Sequence, residues 1–235
     1  MSYLYLTDRF DYFIADSNEL YKSNFGIIKN SYGKTIFDTS YSEEAFKKIY
    51  DTDNEQCLII SHIHVDHYLG GKSHLKNFKK IYCSKKVAKK IIYMGCEKEQ
   101  IHILYDENSI IVNNNIVAGL KDCHSDLDIL MYNQEIGIAF LGDILLADRH
   151  PSLHKYSIDK IVDILNNLIN LGIELFIPGH GKAMTVEDVK VYIKYLNYIN
   201  FAQENNCTRQ EVVIWLEKEN IHWKYINRLW SFLNI

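Results

Sequence analysis

A chain of 235 residues is long enough for one large domain with a substantial core, or for one domain with an appendage. Its formal net charge of −4 argues against general nucleic-acid binding, because that function usually requires a basic surface. The chain contains no uninterrupted run of about eighteen apolar residues, so the sequence predicts no membrane-spanning helix.

The amino terminus and the cysteines predict the compartment. The first eight residues lack the basic region and the apolar run of a secretion signal. The cysteine count is odd and the cysteines show no paired spacing, which is typical of free thiols in a reducing environment. The five positions are Cys57, Cys83, Cys96, Cys123 and Cys207. We therefore expect a cytoplasmic protein.

The first half of the chain alternates short apolar runs with helical patterns. Gly33 is predicted to lie in the turn of an early hairpin. The predicted elements are hairpin strands over 25–28 and 35–37, a helix over 43–50, a strand over 57–60, a helix after His67, a strand over 81–83 and a helix over 85–94.

The second half begins rich in strands and ends helical. The predicted elements are strands over 109–112, 116–120, 129–132 and 136–141, a helix over 158–171, a strand over 174–177 and helices from Thr185 onward. Strands that alternate with helices around an antiparallel middle predict a layered α/β (α+β) architecture. We expect one domain over residues 1–184 and a C-terminal helical extension over 185–235 that packs on it.

Four side chains of metal-binding type stand together directly after the strand predicted over 57–60. They are His62, His64, Asp66 and His67. Imidazole and carboxylate together suit zinc, iron or manganese. In an extended segment, residues two apart point the same way, so His62 and His64 can converge on one metal ion. Asp66 and His67 then project towards a second ion.

Three later positions repeat this form, because a short apolar strand ends and a metal-binding residue follows closely. They are His124, Asp143 and His180. Loops at strand ends often converge on one site in α/β enzymes. Tight turns in such loops require glycine. Five of the eleven glycines stand beside these candidates, at Gly70, Gly71, Gly142, Gly179 and Gly181.

This ordered set resembles the metallo-β-lactamase-fold hydrolase superfamily. The residues that carry the resemblance are His-x-His-x-Asp-His at 62–67, His124, Asp143 and Pro-Gly-His-Gly at 178–181. The resemblance covers about residues 20–184 and includes Ile36-Phe37-Asp38-Thr39, which is similar to the family's aspartate-bearing strand end. It implies a four-layer αββα sandwich, in which two mixed β-sheets pack face to face with helices outside and a helical appendage follows.

The resemblance also implies a dinuclear metal site. One ion would be bound by His62, His64 and His124, the other by Asp66, His67 and His180, with Asp143 bridging them and Asp38 holding the first cluster in place. Two divalent ions are expected, zinc first, with iron or manganese as alternatives.

Two segments depart from the family pattern. The segment 122–128 lacks the frequent Pro-Gly-His, so Asp126 or Asp128 is expected to accept hydrogen bonds there. The glycines of the helix expected after the 62–67 motif come after Tyr68-Leu69, one residue later than in many members. Both departures leave the candidate ligands intact.

The activity implied is hydrolysis of a small ester, thioester or lactone by a hydroxide that bridges the two metal ions. Metal binding lowers the pKa of water from about 15.7 to about 7, so this hydroxide is available at neutral pH. Asp66 is the expected catalytic residue, because it would orient the hydroxide and pass a proton to the leaving group. Two alternatives of the same fold stay open: a phosphodiesterase or nuclease, and a diiron oxygen-binding or redox protein. The expected partner is a small-molecule substrate, rather than a nucleic acid or a membrane.

The segment that follows the metal-binding motif is strongly basic. No acidic residue occurs between His67 and Glu97, whereas eight lysines do: Lys72, Lys76, Lys79, Lys80, Lys85, Lys86, Lys89 and Lys90. They could steer an anionic substrate such as a coenzyme A thioester or a phosphoester, or they could simply keep two helices solvated.

Three further features bear on substrate and assembly. In the loop over 148–154, Arg149 or His150 could bind a substrate anion, unless the loop is only a polar surface segment. Cys123 adjoins His124 and is expected to be a buried structural thiol. The C-terminal segment has a helical-period apolar face that should pack on the sandwich or form a homodimer interface, formed by Ile226, Leu229, Trp230 and Leu233.

Overall fold

A computed structural model describes residues 3–15, 22–48, 50, 56–151 and 158–235 of the chain. Within these ranges the strands are β1 (Tyr3–Leu6), β2 (Phe10–Ile14), β3 (Phe25–Asn30), β4 (Gly33–Phe37), β5 (Gln56–Ile59), β6 (Lys80–Cys83), β7 (Ile101–Ile103), β8 (Ser109–Val112), β9 (Asn115–Leu120), β10 (Asp128–Asn133), β11 (Ile138–Phe140), β12 (Leu175–Ile177) and β13 (Met184–Thr185). The α-helices are α1 (Glu43–Phe46), α2 (Lys85–Tyr93), α3 (Ile158–Asn170), α4 (Val186–Glu204), α5 (Arg209–Lys218) and α6 (Ile226–Leu233).

The strands form two mixed sheets. The first sheet has the order β1-β2-β3-β4-β5-β6-β7, antiparallel up to β4 and parallel from β4 to β7. The second has the order β13-β12-β11-β10-β9-β8, in which only β11 and β12 pair in parallel. The parallel pairs matter for the site, because their carboxyl ends meet at one edge of each sheet.

Three apolar clusters separate four layers. Alternate residues of a strand face opposite sides of its sheet, so Ile36 packs outward against α1 and α2 while its neighbour Phe37 packs inward against Phe140 of the second sheet. The third cluster joins the outer face of the second sheet to α3, α4, α5 and α6. The predicted αββα sandwich is confirmed.

The structure differs from the sequence-based expectation in three places. The strands β1, β2, β7 and β13 were not predicted. The helix expected after His67 is two 3-10 segments, Val65–His67 and Lys72–Asn77. Gly70 donates its backbone N–H to the Ser40 carbonyl at 2.8 Å, which ties this segment to the β4 loop and prevents a regular helix. Helix α1 ends at Phe46, and Ile49 of the predicted 43–50 helix lies outside the described residues.

The C-terminal helices share the core of the second sheet. Leu229, Trp230 and Leu233 of α6 are buried in the same cluster as Phe176 of β12. The predicted apolar face therefore packs within this chain, whereas Ile226 is 37 % exposed. Within the described residues, no helix is long and apolar enough to cross a membrane. The boundary at residue 184 and the homodimer stay predictions.

Candidate metal centre

The candidate ligands come from loops at the carboxyl ends of strands. Residues 61–67 follow β5, and Asp38 follows the neighbouring parallel strand β4. Asp143 follows β11, and His180 follows its parallel neighbour β12. The facing edges of the two sheets thus bring residues that are far apart in the sequence to one place. His124 completes the set from the loop between β9 and β10.

The first group joins three histidines to one carboxylate oxygen. His64 Nδ1 lies 2.9 Å from His62 Nε2 and 3.1 Å from His124 Nε2. Asp143 Oδ2 lies 3.4 Å from His124 Nε2 and 4.0 Å from His62 Nε2. His62 is fully buried, whereas His64 is exposed at the rim. This group therefore opens towards solvent on the side of His64.

The second group surrounds the other oxygen of the same carboxylate. Asp143 Oδ1 lies 3.3 Å from His67 Nε2 and 3.4 Å from His180 Nε2. Asp66 Oδ2 lies 3.2 Å from His180 Nε2 and 3.8 Å from His67 Nε2. Asp143 thus stands between two groups and presents one oxygen to each. All seven predicted ligands are brought together, in the two groups that the resemblance implies.

A buried aspartate orients the histidines from behind. Asp38 Oδ2 accepts a hydrogen bond from His67 Nδ1 at 2.7 Å, and from the Ser61 hydroxyl at 2.7 Å. Asp38 Oδ1 accepts from the Ser61 backbone N–H at 2.7 Å. Ser61 Oγ is in turn 2.9 Å from His62 Nδ1. The role of Ser61 was not predicted, because a serine between a strand and a histidine has no distinctive sequence signal.

The loop around His124 is held by Asp128. Its Oδ2 accepts the backbone N–H groups of His124 and Ser125 at 2.7 and 2.8 Å. Of the two candidate acceptors in this atypical segment, Asp128 is thus the one that organises it. Burial raises the pKa of Asp128 to about 6. Asp126 instead forms an ion pair with Lys86 of α2.

The loop around His180 is held by residues that sequence reasoning missed. His180 Nδ1 lies 3.2 Å from the Lys22 carbonyl oxygen. Asn24 donates from Nδ2 to the carbonyls of Pro178 and Gly181, each at 2.8 Å. A β-carbon at Gly179 would come within 2.0 Å of Asp143 Oδ1, so only glycine fits beside the bridging carboxylate. No local pattern marks Asn24 as a residue that holds this loop, since Pro178 and Gly181 lie more than 150 residues away from it.

Burial and neighbouring charges shift the pKa values of the candidate ligands in different directions. Burial lowers the pKa of His124 to about 4, and burial together with His67 holds the pKa of His62 well below its usual value. Both rings are therefore neutral at pH 7, as a metal ligand must be. Burial opposes a charge on His67, but Asp38 and Asp143 outweigh it and hold the pKa of His67 well above its usual value. Burial would also raise the pKa of Asp143, but the facing histidines His180, His67 and His124 hold it well below its usual range.

The donor atoms match the spacing that a metal ion imposes. Two ligands at about 2.0–2.1 Å from a tetrahedral zinc ion lie about 3.3 Å apart. The closest donor pairs in the second group measure 3.2, 3.3 and 3.4 Å. His67 Nε2 and Asp143 Oδ1 are buried atoms with no hydrogen-bond partner, although buried polar atoms are nearly always paired. A cation shared by these two atoms would satisfy both of them.

The other sequence candidates have separate places. Cys123 is fully buried beneath the second sheet, and burial raises the pKa of its thiol to about 12, as expected of a structural residue. Arg149 and His150 are 3 % and 1 % exposed, so the expectation of a polar surface loop is wrong for them. Arg149 lies over the Tyr225 ring, with its guanidinium carbon 5.5 Å from the ring centroid. Residues 152–154 of this loop lie outside the described residues.

Comparison with known proteins supports the fold. No protein-family model matches the sequence, and no curated protein matches it. Among solved structures, TMB-1 matches with a TM-score of 0.64 at 18 % identity, over 85 % of this chain and 98 % of TMB-1. A metallo-β-lactamase from Hirschia baltica matches with a TM-score of 0.63 at 15 % identity, over 83 % of this chain and 97 % of that chain.

A third similar solved structure is a zinc-containing form of its protein. The metallo-β-lactamase FIM-1 from Pseudomonas aeruginosa in its mono-zinc form matches with a TM-score of 0.64 at 15 % identity, over 84 % of this chain and 95 % of FIM-1. The chain therefore has the metallo-β-lactamase fold, as its motifs predicted.

Proposed function

We propose that this chain is a dinuclear metal-dependent hydrolase that cleaves a small ester, thioester or lactone. The observation that carries the proposal is the position of Asp143, whose two carboxylate oxygens face separate ligand groups at 3.3–4.0 Å. A structural metal site is normally closed by four protein ligands. Here His64 is exposed and Asp66 is half-buried, so the centre has an open side for a substrate.

The ligands are proposed as two sets. His62, His64 and His124 would hold one divalent ion, while Asp66, His67 and His180 would hold the other, with Asp143 shared. When bound, two such ions would supply an activated water molecule and positive charge that stabilises a developing oxyanion. Zinc is proposed first because imidazole and carboxylate donors suit it, and iron and manganese suit the same donors.

Asp66 is proposed to move the proton. Its side chain is 15 % exposed and its Oδ2 lies 3.2 Å from His180 Nε2. Burial would raise the pKa of Asp66, but its hydrogen bond to His180 and the nearby His67 lower it, so a carboxylate is present at neutral pH. The Ser23 hydroxyl donates to the Asp66 backbone carbonyl at 2.7 Å and fixes the loop. Asp66 can therefore accept a proton from attacking water and pass it to the leaving group.

The test combines metal analysis with a substrate panel. Protein purified without added metal is analysed for zinc, iron and manganese, and is then assayed with esters, thioesters, lactones and phosphodiesters. We expect about two metal ions per chain and turnover of at least one ester, thioester or lactone. Two iron ions per chain with no hydrolysis of any panel member would overturn the proposal in favour of an oxygen-binding or redox protein.

A phosphodiesterase is the second candidate, because Lys86 lies in the same cavity as His64 and His124. A nuclease makes many phosphate contacts, so its binding weakens steeply as salt rises. Titration of oligonucleotide binding against salt separates it from an enzyme with a small substrate.

A cytoplasmic location is also proposed. All five cysteines are free thiols, which is the ordinary state in a reducing compartment.

A further inference from the structure

A groove runs from the metal centre along helix α2. Three adjoining cavities form it, and Ile63 and Lys86 line all of them. The first cavity, of about 260 Å³, contains His64 and His124. The second, of about 450 Å³, and the third, of about 570 Å³, continue past Lys89. We call this surface the α2 groove. A molecule whose reacting group lies at the metal centre can extend along it.

The α2 groove contains lysines that form no ion pair with any residue that the structure describes. Lys85, Lys89 and Lys90 are exposed, and no ion pair engages them within the part of the chain that the structure describes. Of the four α2 lysines, Lys86 is the one that has an ion-pair partner among the described residues, Asp126. The other wall has an apolar part, formed by Ile63, Leu104, Tyr105 and Leu127, with Tyr93 at the far end. It also contains three aspartates, each of which forms an ion pair with a lysine outside the unpaired set: Asp106 with Lys160, Asp122 with Lys121 and Asp126 with Lys86. The groove thus offers unpaired positive charge along one side, and apolar side chains and ion-paired aspartates along the other.

This arrangement of lysines costs the helix stability. Lys85 and Lys89, and likewise Lys86 and Lys90, are like-charged pairs four residues apart, which destabilise a helix. The first turn of α2 contains two lysines and no acidic residue, opposite to the charge that a helix dipole favours there. Helix α2 persists because Val87, Ala88 and Ile91 are buried. A bound polyanion would relieve the repulsion.

We propose that the α2 groove binds the non-reacting arm of the substrate, and that this arm carries a diphosphate. Side chains four residues apart on a helix have β-carbons about 5–6 Å apart, so Lys85 and Lys89 can each meet one phosphate group of a diphosphate. A single carboxylate would leave most of the lysines unmatched. The second cavity of the groove, of about 450 Å³, falls within the range of about 300–1,000 Å³ that is typical of small-molecule sites. This inference rests on the proposed hydrolase function and specifies its substrate class.

Binding of adenosine diphosphate to the metal-loaded protein tests the groove without any turnover. The groove variant is Lys85→Glu/Lys89→Glu. The matched control is Lys72→Glu/Lys76→Glu, which makes the same charge change in the same basic segment but lines a different depression. We expect the groove variant to bind adenosine diphosphate about tenfold more weakly or worse, and the control to bind it like the unaltered protein.

Weaker binding by the groove variant should not result from unfolding. Both altered positions are exposed, and a glutamate in the first turn suits the helix dipole, so the groove variant should unfold at an unchanged or slightly higher temperature. Equal affinity in both variants would mean that the metal ions hold the nucleotide, and it would overturn the proposal. So would the absence of binding to the unaltered protein.

A kinetic comparison separates this inference from the proposed function. Two thioesters share one acyl group, and one has a diphosphate-bearing leaving arm while the other has a small neutral arm. We expect kcat/KM to favour the diphosphate arm by about tenfold or more, and the groove variant to lose this preference. Equal turnover of both substrates overturns the groove and leaves the hydrolase standing. If the nucleotide binds in the groove but neither thioester is turned over, the groove stands and the proposed hydrolase function is overturned.

A nucleic acid is the competing occupant. If single-stranded oligonucleotide binds more tightly than adenosine diphosphate, and if both lysine variants weaken it equally, the whole basic segment binds a polymer and the small-molecule proposal fails.

Discussion

Asp38 and His67 form a fully buried pair in which Asp38 Oδ2 lies 2.7 Å from His67 Nδ1. The hydrogen bond orients the His67 ring so that its Nε2 faces Asp143. Within the second ligand group, the polar partner of Asp38 is this ring, so its expected role is to position a ligand.

The first prediction concerns this pair. Asp38 has a left-handed φ of 57°, which asparagine tolerates better than most residues, so Asp38→Asn should fold. Loss of the carboxylate charge behind His67 should weaken metal binding about 10–100-fold. Competition with a chromophoric chelator measures the affinity. Asp11→Asn is the control, because Asp11 is a buried aspartate that pairs with Lys29. Equal affinity in Asp38→Asn and Asp11→Asn would contradict the positioning role.

The second prediction concerns Gly179. In Gly179→Ala the new methyl group would collide with Asp143 Oδ1 at 2.0 Å, so the shared carboxylate must move. We expect less than two metal ions per chain by elemental analysis, and loss of activity. Gly95→Ala meets no atom within 4 Å and should cost only about 1 kcal/mol of backbone strain at its φ of +95°. If Gly179→Ala keeps its full metal content, Asp143 does not need this backbone approach.

Local patterns explain why most strands and the seven candidate positions could be singled out, whereas the four-layer sandwich and the division of the ligands into two sets were implied by the family resemblance. Each ligand follows a short buried strand, and a strand end is visible in a sequence because apolar residues stop abruptly. His62 after β5 and His180 after β12 are examples. The hydrogen bonds from Asn24 to the carbonyls of Pro178 and Gly181 could not be predicted. They span sequence separations of 154 and 157 residues and form only when the two sheets are packed together.

The loop at 148–150 shows a different limit of sequence reasoning. Polar residues after a strand predict a surface loop, yet Arg149 and His150 are buried. The segment before α6 covers them, since His150 donates its backbone N–H to the Lys224 carbonyl at 2.8 Å and Lys224 donates to the Asp148 carbonyl at 3.0 Å. Because the covering segment lies about 75 residues later in the chain, the sequence of the loop itself contains no signal that it is buried.

The third prediction separates the two ligand groups. His64 is exposed, so His64→Ala should fold normally while it removes the nitrogen that lies closest to both His62 and His124. We expect the metal content to fall from about two ions per chain to about one, and turnover to disappear. His222→Ala, another exposed histidine, should leave both values unchanged. Normal hydrolysis by His64→Ala would show that the proposed mechanism is wrong.

The fourth prediction is a pH dependence of stability. Burial lowers the pKa of His150 to about 4, below the ordinary value of 6.5 that applies when the chain is unfolded. Between these values the unfolded chain binds more protons, so stability is lost as the pH falls from 6.5 towards 4. The pKa difference corresponds to a loss of about 2 kcal/mol between pH 7 and pH 5.

Urea unfolding with a metal chelator present measures this contribution. Between pH 7 and pH 5, the free energy of unfolding should decrease in both proteins, but the decrease should be about 2 kcal/mol smaller in His150→Phe than in the unaltered protein. The variant also loses the contact between His150 Nδ1 and the Tyr195 hydroxyl at 2.8 Å, which lowers stability at every pH but does not change its pH slope. Identical slopes in the two proteins would mean that His150 is not held neutral.

The last prediction tests Asp66 as the group that moves the proton. Asp66→Asn keeps the shape of the side chain and an oxygen that can still face His180, but it cannot accept a proton. We expect kcat to fall at least about 100-fold, while KM changes little if substrate binding depends on other groups. Metal content must be measured on the same sample, because Asp66 also belongs to the second ligand group. Asp163→Asn makes the same change at an exposed residue of α3 that does not line the cavity containing His64, and it should keep full activity. A variant Asp66→Asn with two bound metal ions and normal kcat would exclude Asp66 as the proton carrier and would leave the ion assignment intact.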